Sequence, residues 1–342
     1  MTTDDTLPRI DLQHLVMPGG VRRHALDDLA AAAERWGFFE LHGHGVPPQH
    51  RARLFAASDA FFALPAERKD RVARSARNAR GYNAAELTKN RTDTKEIFDF
   101  GHRPDPAALA DAEVNRVADG WNQFPEGLPG FEDALWRWYG YCESLAAMLL
   151  AAIAEALGAD TQTFESTYVA DHSSFLRLNR YPAVAEPAPA TAPDFPEAPL
   201  GIHHHTDAGL LTLLAQRGPA ALQVRHRGRW TLAAPQEDTF VVNIGDMMQV
   251  LSNDRFVAPE HRVLASRAGA ERSSAAFFFN PPYAATIAPL TPPARYRDFT
   301  WERFRAGRAA GDYADLGEEI QISQFRRPAS ERATDTIGDP TP

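Results

Sequence analysis

The sequence holds a single cysteine, Cys142, in 342 residues. No internal disulfide can therefore staple the fold, and a reducing, cytoplasmic setting is the expectation. It also lacks a basic run: 36 Lys and Arg stand against 45 Asp and Glu, for a net charge of −9. That balance argues against nucleic acid or an anionic membrane as the main partner. The longest apolar run, Leu145–Ala154, is about half a membrane span and is bounded by Glu143 and Glu155. The first residues, MTTDDTLPRIDL, are acidic and lack the apolar stretch of a secretory signal. No internal repeats are visible. With 44% hydrophobic residues, a soluble chain with a sizeable core is expected.

Metal-ligand residue types gather between Gly201 and Asn280. His205-Thr206-Asp207 is followed much later by His261. Residues i and i+2 of a strand share one face, roughly 7 Å apart, so His205 and Asp207 can enter one cavity and a distant His can complete the set. Two His and one carboxylate on one face of an octahedral ion leave three positions open, which suits non-haem Fe(II). In the run His203-His204-His205 only the last lies two before an Asp. His203 is expected on the same face and His204 on the other. Arg272 and Ser274 share a strand face beyond His261 and together can grip a carboxylate.

These residues resemble the 2-oxoglutarate/Fe(II)-dependent dioxygenases of the isopenicillin N synthase-like family. The patterns H-T-D-x-G-x-L-T-L-L, N-x-G-D-x-x-x-x-x-[ST]-N, H-R-V and R-x-S-x-x-F-F-x-N-P stand at His205–Leu214, Asn243–Asn253, His261–Val263 and Arg272–Pro281. The resemblance implies Fe(II) held by His205, Asp207 and His261. It implies 2-oxoglutarate chelating the iron, with its far carboxylate on Arg272, Ser274 and Tyr181, and Asn179 beside them. O₂ is the second co-substrate. Succinate and CO₂ are released while an unactivated C–H of a small molecule is oxidised, by hydroxylation, desaturation or cyclisation. Secondary metabolism such as antibiotic biosynthesis is the implied setting. Asp246, in NIGD, is by the family pattern a turn or supporting residue.

The remaining chain frames this block. Apolar spacing predicts helices over Arg22–Trp36, Pro48–Ala63 and Phe131–Leu157, the last with its apolar stripe facing a core. FFEL is read as a strand running into HGHGVP, where His44 is a structural histidine. The polar stretch Ala76–Gly101 matches a family segment that edges the substrate pocket, making Asn78, Arg80, Tyr82, Lys95 and Phe98 candidates. SSFLRLNRYP alternates, with Arg177, Asn179 and Tyr181 on one face; Arg177 is a salt-bridged rim residue or reaches toward an acidic substrate. The Pro-rich Ala183–Pro199 is a stiff loop, arching over the site or merely spacing two strands. Strand and turn spacing over Gly201–Pro281 suggests an antiparallel double-sheet jelly roll.

The expectation is an α+β protein with a mainly β core, a double-stranded β-helix with amino-terminal and flanking helices. One catalytic domain spans 1–325, with an amino-terminal region over 1–120 and a core over 172–290. Arg326–Pro342 is expected to be a disordered tail. Three other readings stay open: an oxidase using the same iron without oxoglutarate, an ethylene-forming enzyme, and a jelly-roll protein that binds without chemistry.

Overall fold

A computed structural model describes residues 6–75, 78–101, 120–313, 319–328 and 331. Two sheets face each other. The larger orders its strands Arg9–Asp11, Phe38–His42, Phe240–Ile244, Leu211–Arg217, Arg272–Phe279, Phe175–Tyr181, Glu96–Gly101 and Gly81–Asn83. The smaller runs Arg229–Ala233, Leu222–His226, His261–Leu264 and Leu200–His205. Apart from the first, parallel pair, the pairings are antiparallel. This is the expected jelly roll.

Helices back the larger sheet. The 27-residue helix Phe131–Leu157 runs between left-handed glycines, Gly130 and Gly158, that start and stop it. Its length and composition would suffice to cross a membrane. Instead Leu135, Trp138, Cys142, Leu149 and Ile153 are buried in the main core, which helices Gly20–Arg35 and Pro48–Phe62 share. Trp138 meets Phe240 of the larger sheet at 5.3 Å between ring centroids. His44 is structural: Nε2 faces the Asp238 carbonyl at 2.9 Å and Nδ1 accepts from Val46 N at 3.1 Å.

Of the two readings of the Pro-rich loop, the arch over the site falls and the spacer between two strands stands, since none of its residues lines the cavity. The loop lies on the smaller sheet, where fully buried Arg262 donates to the carbonyls of Pro193 and Ala192 and Gln223 donates to that of Ala190. The reason is polar: the loop's carbonyls need donors, and two strand side chains supply them. Arg326 and Arg327, at the start of the expected tail, are held by partners. Arg326 forms a two-pronged ion pair with Asp254, both contacts at 2.9 Å, and Arg327 N donates to the Arg295 carbonyl. Residues 329, 330 and 332–342 of that tail lie outside the described residues.

Candidate active site

The cavity between the sheets, about 150 Å³, is built in rungs. Strands Arg272–Phe279 and Phe175–Tyr181 pair Arg272 with Tyr181, Ser274 with Asn179, Ala276 with Arg177 and Phe278 with Phe175. All eight line the cavity. One end is thus a set of polar donors and the other an aromatic wall, Phe175 and Phe278 stacking at 4.7 Å.

Between them sits the cluster read from the sequence. Ligand atoms of His205, Asp207 and His261 all lie within 4.8 Å of one another. Oδ1 of Asp207 is 3.6 Å from His205 Nε2 and 3.5 Å from His261 Nε2. Each imidazole is oriented from behind: His205 Nδ1 meets the His203 carbonyl at 2.8 Å, His261 Nδ1 the Pro259 carbonyl at 3.3 Å. A carbonyl only accepts, so the ring protons sit on Nδ1 and the Nε2 lone pairs face one point. Asp207 is oriented in the same manner. Its Oδ2 accepts from Thr212 Oγ1 at 2.6 Å and Asn243 Nδ2 at 2.8 Å, which turns Oδ1 toward the histidines.

The two neighbours do not share a strand, however. The strand ends at His205, and Asp207 follows in irregular chain that leads into a bend over 208–210. That segment is clamped by Asp246 N donating to the Asp207 carbonyl at 2.7 Å. The chains approach so closely that a Cβ on Gly245 would collide with the Gly209 carbonyl. Asp246 supports rather than ligates: its side chain accepts from Thr206 Oγ1 and is ion-paired with Arg308. His203 departs from expectation. It lies outside the cavity wall, its Nδ1 3.1 Å from Asp93 Oδ1. His204 faces Glu260, at 2.9 Å.

Electrostatics suit a divalent cation. Burial, then the neighbouring His261, pushes His205 down to about 3, so its imidazole is neutral. Burial opposes charge on Asp207, but His261 and His205 outweigh it and hold the carboxyl well below the usual range. Burial likewise opposes charge on His261, and the attraction of Asp207 overrides it and raises that imidazole. Neutral His205 and ionised Asp207 are in the forms that ligate metal, whereas the proton that Asp207 favours on His261 would be released as a cation takes its place.

The anion end has an equally direct signature. Arg272 is 1% exposed, lies 4.6 Å over the Tyr181 ring and donates through Nη2 to Gln216 Oε1 at 2.7 Å. Its Nε and Nη1 are buried and have no hydrogen-bond partner among the described residues. Such a guanidinium is costly unless a ligand carboxylate meets it. Ser274 Oγ stands 3.4 Å from the Tyr181 hydroxyl and accepts from Asn179 Nδ2 at 3.3 Å. The donor set fits a dicarboxylate whose near end reaches the metal.

Of the Ala76–Gly101 candidates only Lys95 lines the cavity. Asn78 holds the Trp121 backbone, Tyr82 donates to Glu96, Arg80 lies over the Phe175 ring, and Phe98 is core. Arg177 is a rim residue, forked onto Asp99 at 2.9 Å and joined to Glu86 at 2.8 Å. Sequence reading missed Gln216, Thr212 and Asn243 as supports. It also missed Trp301, Arg305, Arg308 and Glu319, which bring the carboxyl-terminal helix Trp301–Tyr313 and the chain beyond it onto the cavity. Thr212 and Asn243 lay within the quoted patterns, and their burial between apolar strand residues was the available signal.

Comparison with known proteins agrees. Residues 172–281 match the 2OG-Fe(II) oxygenase superfamily, and residues 7–127 match the amino-terminal region described as non-haem dioxygenase in morphine synthesis. Leucoanthocyanidin dioxygenase 1 of Oryza sativa subsp. indica is 30% identical over 295 residues, covering 83% of this chain and 74% of that protein. Gibberellin 2-beta-dioxygenase 6 of Oryza sativa subsp. japonica is 30% identical over 331 residues, covering 95% and 86%. The crystal structure of a full-length Neurospora crassa protein in complex with alpha-KG superposes with a TM-score of 0.76 at 25% identity, covering 91% and 98%. The chain belongs to the 2OG-Fe(II) oxygenase superfamily and is a 2-oxoglutarate- and Fe(II)-dependent dioxygenase.

Proposed function

We propose that this dioxygenase oxidises an unactivated C–H of a small organic molecule, with His205, Asp207 and His261 holding the iron. Arg272, Ser274 and Tyr181, with Asn179 beside them, receive the far carboxylate of 2-oxoglutarate. Bound iron supplies the O₂ chemistry, in which oxoglutarate becomes succinate and CO₂. The chain's own residues position and enclose. Thr212 and Asn243 aim the carboxylate, the His203 and Pro259 carbonyls aim the imidazoles, and Arg272 orients the co-substrate along the rungs. The substrate then lies against the Phe175–Phe278 wall, where Ala208 and Ala276 leave room.

Arg272 carries this reading. Two buried nitrogens without a partner call for an anion at the place where oxoglutarate would end, and that requirement disfavours an oxidase working without oxoglutarate. The relatives' names, for a leucoanthocyanidin and a gibberellin, support a small molecule as substrate. The net charge of −9 gives no handle for nucleic acid or membrane, and lone, buried Cys142 is compatible with a cytoplasmic location.

The test is an anaerobic titration of Fe(II) into apo-protein with and without 2-oxoglutarate, following the visible charge-transfer band of the chelated oxo acid. The band should form in wild type and vanish in His205→Ala. Its absence from iron-loaded wild type would overturn the co-substrate assignment.

A further inference from the structure

The strand that delivers His205 is poorly held by its own sheet. Among the described residues Leu200–His205 is an edge strand, paired on one side only, with His261–Leu264. That pairing is irregular: His261 stands opposite His205 and Val263 opposite Ile202, so the register slips across His203 and His204. Neither neighbour of His205 is therefore fixed by a regular ladder. An edge also presents unpaired N–H groups that need acceptors.

The amino-terminal region supplies them. Oδ1 of Asp93 accepts from His203 N at 3.0 Å and faces His203 Nδ1 at 3.1 Å. A carboxylate oxygen only accepts, so both groups donate to it. One residue on, Thr94 N donates to the Leu200 carbonyl at 3.1 Å. Asp93 is itself held: Oδ2 takes Thr88 Oγ1 at 2.7 Å and Lys95 Nζ at 3.0 Å, and its side chain is fully buried. The His203 carbonyl, on the other side of the clamped residue, is the acceptor that orients His205 Nδ1 at 2.8 Å. A continuous run of hydrogen bonds thus leads from a buried carboxylate of the amino-terminal region to the back of a metal-binding imidazole.

We infer that Asp93 is a positioning residue for the metal centre, setting the depth and angle of His205 by clamping the His203 backbone. The inference rests on the iron-site reading above. It adds that the amino-terminal region builds the metal site, and does more than edge the substrate pocket. Asp93 touches no ligand. It acts through one peptide unit, and supports of this kind are typically worth ten- to hundredfold in metal affinity.

The experiment measures Co(II) binding to the full chain, by affinity and by the ligand-field spectrum, in wild type, Asp93→Asn, His203→Phe and Asp254→Asn. Asp254 is an ion-paired acid that does not line the cavity, held by Arg326 and Tyr296, and controls for general loosening. Asp93→Asn should weaken Co(II) roughly ten- to hundredfold and alter the spectrum. Asp254→Asn should lower the melting temperature and leave affinity within about twofold. His203→Phe keeps the backbone N–H bond and loses the ring contact, so a smaller loss in the same direction is expected. The inference is overturned if Asp93→Asn binds Co(II) as wild type does, or if Asp254→Asn loses as much. Should Asp93→Asn not fold, Thr88→Val, which removes the hydroxyl that holds Asp93 Oδ2, takes its place, and unchanged Co(II) affinity and spectrum there overturn the inference. Wild type that does not bind Co(II) would sink the metal-site reading itself, a different outcome.

Discussion

Nη2 of Arg272 donates to Oε1 of Gln216 at 2.7 Å, and this bond turns the guanidinium so that Nε and Nη1 are left for a ligand. Gln216 reaches it from the neighbouring strand, directly opposite Ser274 in register. The proposed anion subsite therefore depends on a residue that need not touch the anion.

Replacing Gln216 by Glu puts a carboxylate against Arg272 and cancels its charge before oxoglutarate arrives. The dissociation constant for 2-oxoglutarate should rise about tenfold or more, since one charge-assisted hydrogen bond is worth ~1.5–3 kcal/mol. Gln216→Met should cost less, because the fork is loosened but keeps its charge. Titration of the charge-transfer band reads both. Equal affinity in Gln216→Glu would remove the residue from the subsite.

Thr212 and Asn243 both donate to Oδ2 of Asp207. Thr212→Val or Asn243→Ala should leave the chain folded and lower Fe(II) affinity about tenfold each, the usual scale for groups that orient a ligand. The double variant should fall short of additivity, because the two share one oxygen. Metal titration at constant pH checks this against unchanged circular dichroism.

Acid should unfold the protein through one buried cluster. Arg177, Lys95 and Arg74 surround Glu86, Asp93 and Asp99. Burial opposes ionisation of Glu86, but Arg177, Lys95 and Arg74 prevail and hold its carboxyl below the usual range. Burial likewise opposes charge on Asp99 and Asp93, which Arg177 and Lys95 respectively override. With folded values below unfolded ones, the unfolded chain binds more protons. This stabilisation is complete above about pH 5 and is lost as pH falls through about 4 and below. Lys95 is raised despite burial by Glu86 and Asp93, so its contribution persists up to the ordinary lysine range. Arg177→Leu strands buried carboxylates and should cost about 3–5 kcal/mol at pH 7, with a smaller difference near pH 4. Urea melts at the two pH values measure it.

Cys142 is fully buried in the long helix, and burial raises its thiol well above the ordinary value. A thiol reagent at pH 8 should therefore label it only in denaturant, because the thiolate is the reactive form. Rapid labelling of native protein would show that this helix opens.

The periodic helices were legible because each buries one stripe. Phe131–Leu157 begins and ends where its apolar spacing and flanking glycines place it. The triad and the Arg272, Ser274 and Tyr181 set were legible for a related reason: each is a short-range pattern on or beside a strand, repeated in an order that a whole family shares. What the sequence alone determined, then, was what local spacing carries, namely which ligand-type side chains the fold gathers at one point, which polar groups stand on the rungs beside them, and which stretches are strand or helix.

Only the tertiary structure decided what stands behind those residues. Asp93 meets His203 across the free edge of a strand, Gln216 meets Arg272 across a sheet, and Arg308 joins Asp246 from the carboxyl-terminal helix. No periodicity marks such partners, because a buried polar group can be satisfied by any donor or acceptor that packing brings near. The Pro-rich loop shows the same limit. Its stiffness was evident from composition, whereas its place on the smaller sheet was set by Arg262 and Gln223 finding its carbonyls.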